Sequence, residues 1–163
     1  MTDSPSLALS HVSATGDAHM VDVSDKQTSS RFARASGQIR MSREAFIAIR
    51  DNTLAKGDVM TVARIAGIQA AKQTALLIPL CHQVPLSQVA VEVSLTESLP
   101  GVRVEATVRT TAPTGVEMEA LTAVSMTLLT VYDMAKAIDK GMLISDIRLR
   151  EKRGGRSADL VLE

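Results

Sequence analysis

Residues 114–138 read TGVEMEALTAVSMTLLTVYDMAKAI, and this stretch decides the fold because it is long and apolar enough to form a central helix. A turn signal, Pro113 and Gly115, lies at its start, and Gly141 follows it as a stop signal. Apolar residues recur inside the stretch at steps of three and four, which places them on one stripe of a helix. The predicted core stripe consists of Leu121, Val124, Leu128, Val131 and Ala135.

Three of the charged residues in the predicted helix are considered together: Glu119 in its first turn, and Asp133 and Lys136 near its end. At about 100° per residue, Glu119 and Asp133 fall roughly 40° apart around the axis, and Lys136 follows Asp133 by one turn. We therefore expect the three side chains on one edge of the helix. Spacing alone favours a solvated pair between Asp133 and Lys136, with Glu119 stabilising the helix N-terminus. The alternative is a functional site.

The composition indicates one domain without a strong overall charge. The chain has 163 residues, 45% of them hydrophobic, and 18 basic residues balance 18 acidic ones. A neutral chain with 2% aromatic residues lacks both the field and the stacking platforms of nucleic-acid binders. We expect a mobile, polar tail over residues 1–17 and one domain over residues 18–163.

Neither membrane nor secreted proteins fit this sequence. The longest uncharged run is broken by prolines, which excludes a membrane span, and the first residues lack the basic and apolar regions of a signal peptide. The single cysteine, Cys81, cannot form an internal disulfide. These features predict a cytoplasmic protein. No metal site is predicted at Cys81 and His82, because zinc needs three or four ligands at recognisable spacing.

Alternating apolar residues over 88–95 and 102–109 predict two strands that form a hairpin. One face of the hairpin is apolar and the other is charged, so helices are expected on one face only. Ser42 and Asp58 are predicted N-caps of two helices before it. In the second of these, Val59, Val62, Ala63, Ala66, Ala70 and Ala71 are predicted to face inward.

The predicted elements run β-α-α-β-β-α-β-β. The first strand is expected over residues 31–40 and the last two over residues 142–149 and 158–162. Antiparallel hairpins without βαβ alternation define the α+β class, and this order suggests a ferredoxin-like sheet with helices packed on one face. A face left uncovered would favour oligomers.

A basic segment, residues 150–157, separates the two last predicted strands and reads REKRGGRS. Glycines let backbone N–H groups approach an anion, and arginine and lysine supply charge-assisted hydrogen bonds. The composition fits a phosphate-binding loop and a solvated hairpin tip equally well.

Six motifs along the chain carry a family resemblance. They are HMVDV at 19–23, KGD at 56–58, ARIAGIQAAK at 63–72, IPLCH at 78–82, TGVEMEALTA at 114–123 and YDM at 132–134. Together they resemble the cyclic pyranopterin monophosphate synthases, which catalyse the second step of molybdenum-cofactor biosynthesis. The resemblance covers residues from about 17 to the end.

The resemblance implies an activity and an assembly. Family members convert (8S)-3',8-cyclo-7,8-dihydroguanosine 5'-triphosphate to cyclic pyranopterin monophosphate and release pyrophosphate. The resemblance also implies a ferredoxin-like subunit, a homohexamer built as a trimer of dimers, and active sites at dimer interfaces. No cofactor is expected, and whether a divalent metal accompanies the triphosphate is left open. A non-catalytic nucleotide-binding module of the same fold, or a purely structural oligomer, is the competing reading.

The resemblance also implies a set of site residues. Asp133 and Lys136 match the acid-base centre of the family, and Lys56 matches a further essential lysine. The residues that match substrate-contacting or pocket-lining positions are Leu80, Cys81, His82, Met118, Glu119, Glu117, Arg31, Lys152 and Arg156. The family often has lysine where Arg156 stands, and arginine keeps the charge without the proton chemistry of lysine.

The implied chemistry leads to three hypotheses. Lys136 would shuttle protons if desolvation or cationic neighbours lower its pKa, with Asp133 orienting it. Basic residues would hold the triphosphate: Lys56, Arg31, Lys152 and Arg156. Glu117 and Glu119 would point about 160° apart on a regular helix, so we expect Glu117 at the helix entrance.

Overall fold

The structure is a computed structural model that describes residues 17–98, 100–155 and 158–162. The expected tail, residues 1–17, lies outside the described residues except for Asp17. The elements in chain order are β1 (Ser29–Arg40), α1 (Arg43–Arg50), α2 (Val59–Lys72), α3 (Thr74–Leu77), β2 (Leu86–Thr96), β3 (Gly101–Ala112), α4 (Glu117–Ala135), β4 (Leu143–Arg153) and β5 (Leu160–Val161).

The five strands form one antiparallel sheet in the order β2-β3-β1-β4-β5. The connection from β1 to β2 carries α1 to α3 and passes over β3, and the connection from β3 to β4 carries α4 and passes over β1. This split arrangement of two crossovers is ferredoxin-like. The predicted α+β class and topology are confirmed.

The helices cover one face of the sheet. On β1, Ala33, Ala35 and Ile39 are buried, whereas the intervening Arg34 is only partly buried. The partner strand β3 buries Val104 in the same alternating pattern. Because successive side chains on a strand point to opposite faces, the apolar face lies under the helices and the charged face lies open.

The central helix α4 lies on β1 and β3, and α2 packs along it. Gly67 allows α2 and α4 to approach each other closely. A Cβ atom at this position would lie 2.1 Å from Thr127 Oγ1 and 2.9 Å from the carbonyl oxygen of Ala123. The small residues of α2 that face α4 are therefore a steric requirement.

Both predicted helix caps are present. The Ser42 side chain accepts a hydrogen bond from the Ala45 amide at 3.2 Å, and Asp58 Oδ1 accepts one from the Thr61 amide at 3.0 Å. Each cap satisfies an amide that the first helical turn leaves unpaired. The prediction that α4 begins with Glu117 at its entrance is also confirmed.

Three local predictions were wrong. Val62 is 42% exposed, because the buried face of α2 runs through Val59, Ala63 and Gly67 instead. The segment 150–157 is not all loop, since β4 continues to Arg153 by pairing with β1. The last strand comprises only Leu160–Val161 within the described residues.

In the described part of the chain, no helix has the length and apolar character needed to cross a bilayer.

Candidate active site

Lys56, Asp133 and Lys136 form one ion-pair cluster at the C-terminal end of α4. The Nζ of Lys56 donates to Asp133 Oδ2 at 2.8 Å, and the Nζ of Lys136 lies 2.7 Å from Asp133 Oδ1. One carboxylate thus bridges two ammonium groups. All three side chains are about half exposed, so the cluster faces open solvent in a single chain.

The local backbone brings Lys56 to this position. Gly57 follows it at φ +88°, a conformation that favours glycine, and Asp58 then caps α2. Lys56 Nζ also donates to the backbone carbonyl oxygen of Asp133 at 2.9 Å. Because α4 leaves its last carbonyl groups without helical partners, this ammonium group also serves the end of the helix.

The charged groups of this cluster shift the pKa values of Asp133 and Lys136. Hydrogen bonds from Lys136 and then Lys56 lower the pKa of Asp133 to about 2. The hydrogen bond to Asp133 raises the pKa of Lys136. The hypothesis that Lys136 has a lowered pKa is therefore wrong for the single chain, because the neighbouring carboxylate stabilises the ammonium form more than burial disfavours it.

A second cluster lies at the other end of α4. Glu119 is only 3% exposed, and Cys81 Sγ donates to its Oε1 at 3.8 Å while its Oε2 has no partner among the described residues. Burial raises the pKa of Glu119. Burial and the nearby Glu119 also raise the pKa of the Cys81 thiol to about 11, so this thiol is protonated at neutral pH.

His82 connects this second cluster to the N-terminal segment. Its Nε2 lies 2.7 Å from the carbonyl oxygen of Val21. A carbonyl oxygen only accepts, so Nε2 carries the hydrogen and Nδ1 remains for another partner when the ring is neutral. The neighbouring Leu80 is partly buried and Met118, beside Glu119, is 38% exposed.

Glu117 faces a separate hollow from Glu119. Its Oε1 lies 3.4 Å from Lys152 Nζ, whereas Glu119 turns toward Cys81. The guanidinium of Arg31 crosses the same hollow and donates to the carbonyl oxygens of Ala112, Pro113 and Gly154 at 3.2, 3.0 and 3.2 Å. Arg156, the remaining predicted site residue, lies outside the described residues.

Glu119 and Asp133 do not meet in one chain, although they belong to one helix. They are 14 positions apart, which corresponds to about 21 Å along an α-helix. The structure therefore divides the predicted site residues into two groups, one at each end of α4. Their predicted position on a common helix edge does not make them neighbours.

Sequence reasoning missed one basic residue near the predicted pocket. Lys26 lines the hollow that contains Arg31, Glu117 and Lys152. It lies three residues after the HMVDV motif, in a turn whose contact with the rest of the chain has no periodic signal. Among the described residues, no group of three His, Cys, Asp or Glu side chains could hold a metal ion.

Comparison with known proteins places these residues in a family context. Residues 20–155 match the profile of the MoaC family. The chain is also 57% identical over 149 residues to a protein of Dinoroseobacter shibae named cyclic pyranopterin monophosphate synthase, and the match covers 91% of this chain and 94% of that relative.

Proposed function

The chain belongs to the MoaC family, and on this premise we propose that it is a cyclic pyranopterin monophosphate synthase. Its substrate is (8S)-3',8-cyclo-7,8-dihydroguanosine 5'-triphosphate, and its products are cyclic pyranopterin monophosphate and pyrophosphate. We assign this activity to residues 18–163 as one catalytic domain and to the cytoplasm. No cofactor is included in this proposal.

The observation that carries the proposal is the convergence of Lys56 and Lys136 on the Asp133 carboxylate. The reaction opens and rebuilds rings of a purine-derived base, so protons must be supplied and removed at nitrogen and carbon. Two ammonium groups on one carboxylate, open to solvent, provide proton donors in a defined geometry. A solvated surface pair would need only one of the two lysines.

Lys136 can both give and accept protons in this proposal. Its ammonium form, which the Asp133 carboxylate favours by raising the pKa of Lys136, donates a proton, and the amine that results can accept one. Asp133, with its pKa lowered to about 2, stays ionised and holds the lysines in place.

The closing of the cyclic phosphate requires cations. A hydroxyl oxygen of the substrate forms a bond to the α-phosphorus, the bond to the bridging oxygen breaks, and pyrophosphate leaves while the hydroxyl proton passes to a base. Lys152, Arg31 and Arg156 are the cations that we assign to the triphosphate, with Lys56 beside the reacting group. Glu117 balances Lys152 until the substrate arrives.

We assign the second cluster to the purine-derived base of the substrate. Leu80, Cys81, His82, Met118 and Glu119 form this part of the site. Glu119 is buried with one carboxylate oxygen that has no hydrogen-bond partner among the described residues. Burial of such an atom costs free energy unless it accepts a hydrogen bond. N–H groups of a guanine-like base would supply that partner.

A complete site requires two chains in this proposal. The base-binding group and the lysine cluster lie about 21 Å apart along α4, which exceeds the reach of one nucleotide-sized substrate between catalytic contacts. Exposed apolar side chains on the helical layer, Val62, Ile65 and Leu129, support an interface there. The assembly that we propose is a homohexamer, a trimer of dimers, with active sites between the chains of each dimer.

The proposed function is tested in a coupled assay. The upstream radical enzyme and GTP generate the substrate, this protein is added, and the product is oxidised to a fluorescent pterin. Formation of the pterin and of one pyrophosphate per turnover supports the proposal. Accumulation of the upstream intermediate without pterin would contradict it and would favour a non-catalytic nucleotide-binding module.

A further inference from the structure

The chain leaves α4 through a tight turn, residues 136–141, and Lys136 is the first residue of this turn. Lys136 ends the helix as its C-cap, and its side chain is about half exposed beside the Asp133 carboxylate. An exposed lysine has many rotamers, so one ion pair restricts its ammonium group only in part. The position of this group therefore depends on how firmly the turn holds the backbone of Lys136.

Asp139 holds this turn at two points. Its Oδ1 accepts a hydrogen bond from the Gly141 amide at 2.7 Å, and its Oδ2 accepts one from the Ser42 amide at 2.7 Å. Hydrogen bonds from backbone N–H groups to a carboxylate are charge-assisted and therefore stronger than those between neutral groups. The first bond closes the turn on itself. The second ties it to the start of α1, 97 positions earlier in the chain.

The sequence of α1 explains why a distant residue makes this second contact. Ser42 caps α1 by accepting a hydrogen bond from the Ala45 amide. In a complete capping box, a glutamate or glutamine at the position of Ala45 would accept a bond from the amide of the cap residue in return. Alanine has no such acceptor, and the Asp139 carboxylate takes its place. A negative charge is also favourable at this end of a helix.

Two further sets of bonds make the turn continuous with α4. The amides of Ile138 and Asp139 donate to the carbonyl oxygen of Ala135 at 2.9 and 3.3 Å. The Tyr132 hydroxyl donates to the carbonyl oxygen of Lys140 at 3.1 Å. These bonds stay within one stretch of chain. The bond from Ser42 to Asp139 instead fixes the turn relative to another element of the fold.

The segment 42–58 meets the end of α4 at both of its own ends. Its first residue, Ser42, binds Asp139, and Lys56 near its other end binds Asp133. Between these contacts α1 packs into the core through its buried face. The two lysines on the Asp133 carboxylate thus belong to two segments that Asp139 joins. A shift of the turn relative to α1 would change the distance between the two ammonium groups.

We propose that Asp139 is a positioning residue for the cluster of Lys56, Asp133 and Lys136. Among the described residues, its carboxylate binds the amides of Ser42 and Gly141 and no side chain of the cluster. It acts through the turn that carries Lys136 and through the helix that leads to Lys56. This inference rests on the proposed function for the role of the two lysines in proton transfer. A misplacement of about 1 Å can lower a rate about 100-fold.

The kinetic test uses the full-length protein with Asp139→Asn, in which an amide N–H group replaces one acceptor oxygen and faces a backbone N–H group. Ser42→Ala is the first control, because it removes the cap of α1 and leaves the amide that Asp139 binds. Asp146→Asn is the second control, since it changes an exposed carboxylate that accepts from Gln38 Nε2 at 2.7 Å. Circular dichroism and urea midpoints check the fold of each variant.

In the coupled assay, Asp139→Asn should lower kcat about 10- to 100-fold. Its KM should stay within about twofold of wild type, because Asp139 does not bind the substrate in this proposal. Both controls should keep the wild-type kcat. An equal loss of kcat in Ser42→Ala and Asp139→Asn would overturn the assignment, since it would trace the effect to the general stability of α1.

A measurement without substrate follows the position of Lys136 directly. NMR titration of protein with isotope-labelled lysine reports each ammonium group, and Lys136→Arg identifies the Lys136 signal by its loss. In wild type, the hydrogen bond to Asp133 raises the pKa of Lys136. In Asp139→Asn the looser turn should weaken this bond and bring the pKa of Lys136 down toward its ordinary value. Ser42→Ala should titrate as wild type does.

Ser42→Pro breaks the same bond from the other partner. Proline has no N–H group, and the φ of −62° at Ser42 suits its ring. The variant should therefore have a lower kcat than Ser42→Ala, and Asp139→Asn should add little to it if the two changes remove one contact. Should Asp139→Asn fail to fold, the comparison of Ser42→Pro with Ser42→Ala decides the assignment in the same way.

The outcomes separate this inference from the proposed function. A folded Asp139→Asn protein with the wild-type kcat, or with a Lys136 signal that titrates as in wild type, would overturn the role of Asp139 while the proposed function stands. Absence of turnover in wild type would instead overturn the proposed function. The Lys136 titration would then still show whether Asp139 positions this ammonium group.

Discussion

Lys56 binds Asp133 twice, through the carboxylate at 2.8 Å and through the backbone carbonyl at 2.9 Å, although the two residues lie 77 positions apart. The second bond makes the position of the ammonium group independent of the Asp133 rotamer. Lys136 approaches the other carboxylate oxygen from the next turn of the chain. The geometry of the lysine pair is therefore set by tertiary structure on one side and by helical spacing on the other.

Replacing Asp133 by Asn should abolish most turnover without unfolding the protein. The carboxamide loses the charge that raises the pKa of Lys136 and holds two ammonium groups, and displacing these proton-transferring lysines should cost about 10²- to 10⁴-fold in rate. The coupled pterin assay measures kcat, and circular dichroism checks the fold. Asp51→Asn, which removes the carboxylate of the exposed Arg50 pair, is the matched control and should keep its activity.

The Asp133 cluster also predicts the acid limb of stability. The pKa of Asp133 is lowered to about 2 in the folded chain from 3.8, so its favourable contribution is present above pH 3.8 and is lost as pH falls toward 2. Urea unfolding of wild type and Asp133→Asn at several pH values measures this contribution. A stability difference between the two proteins that is already lost between pH 5 and 6 would contradict the lowered pKa of Asp133.

Glu119 should give stability the opposite dependence on pH. Burial raises its pKa above 4.5, so the folded chain holds the proton more tightly than the unfolded chain does. Its contribution to the free energy of unfolding is complete below pH 4.5 and is lost as pH rises through the raised pKa. The carboxamide in Glu119→Gln does not titrate, so the stability of this variant lacks this pH dependence.

We therefore expect Glu119→Gln to be more stable relative to wild type at pH 8 than at pH 4, while its turnover falls. Urea unfolding at several pH values measures the difference, and Glu97→Gln on an exposed turn serves as the control. A constant difference between Glu119→Gln and wild type across this range would contradict a raised pKa of Glu119 in the folded chain.

Gly67→Ala should destabilise the contact between α2 and α4. The added methyl group would meet Thr127 Oγ1 at 2.1 Å and the Ala123 carbonyl oxygen at 2.9 Å, and the backbone atom cannot move aside without shifting the helix. Overpacking of this kind costs about 1–3 kcal/mol. Urea midpoints of the variant and of the control Gly141→Ala measure it, since a Cβ at Gly141 meets only an Asp139 carboxylate oxygen at 3.3 Å. Equal midpoints would refute the tight contact.

Much of the fold follows from local pattern. The alternation in β3 identifies Val102, Val104 and Val108 as core residues, because the sheet has one covered face and period two separates its faces. The helix N-caps at Ser42 and Asp58 could also be predicted from the sequence, since each side chain accepts a hydrogen bond from the amide three residues ahead. The exposure of Val62 could not be predicted in this way, because the position of α4 decides which apolar residues of α2 are buried.

The site was less accessible to sequence reasoning. The spacing of Asp133 and Lys136 indicates an ion pair, and the structure contains it. Lys56 joins that pair only through tertiary contact, so its place came from the family resemblance alone. The raised pKa of Lys136 also contradicts the expected lowering, since charge balance around a carboxylate depends on every neighbour that packs against it.

Mixing two inactive variants should restore activity if each site takes residues from two chains. Lys136→Ala lacks the proton donor, and Glu119→Ala lacks the carboxyl group at the other end of α4. In a dimer with a two-fold axis, a mixed pair contains one site with both losses and one site with neither. Random exchange at equal amounts should then give about a quarter of the wild-type sites.

The experiment denatures and refolds the two variants together, or co-expresses them with different tags and purifies the mixed oligomer. Recovery of pterin formation in the mixture, but not in either variant refolded alone, supports the shared site. Lys140→Ala mixed with wild type is the control for refolding losses, because Lys140 follows Lys136 by four positions and forms no side-chain ion pair within the described residues. If mixed oligomers form and remain inactive, Glu119 and Lys136 act on the substrate from the same chain, and α4 would have to bend or shorten to bring them together.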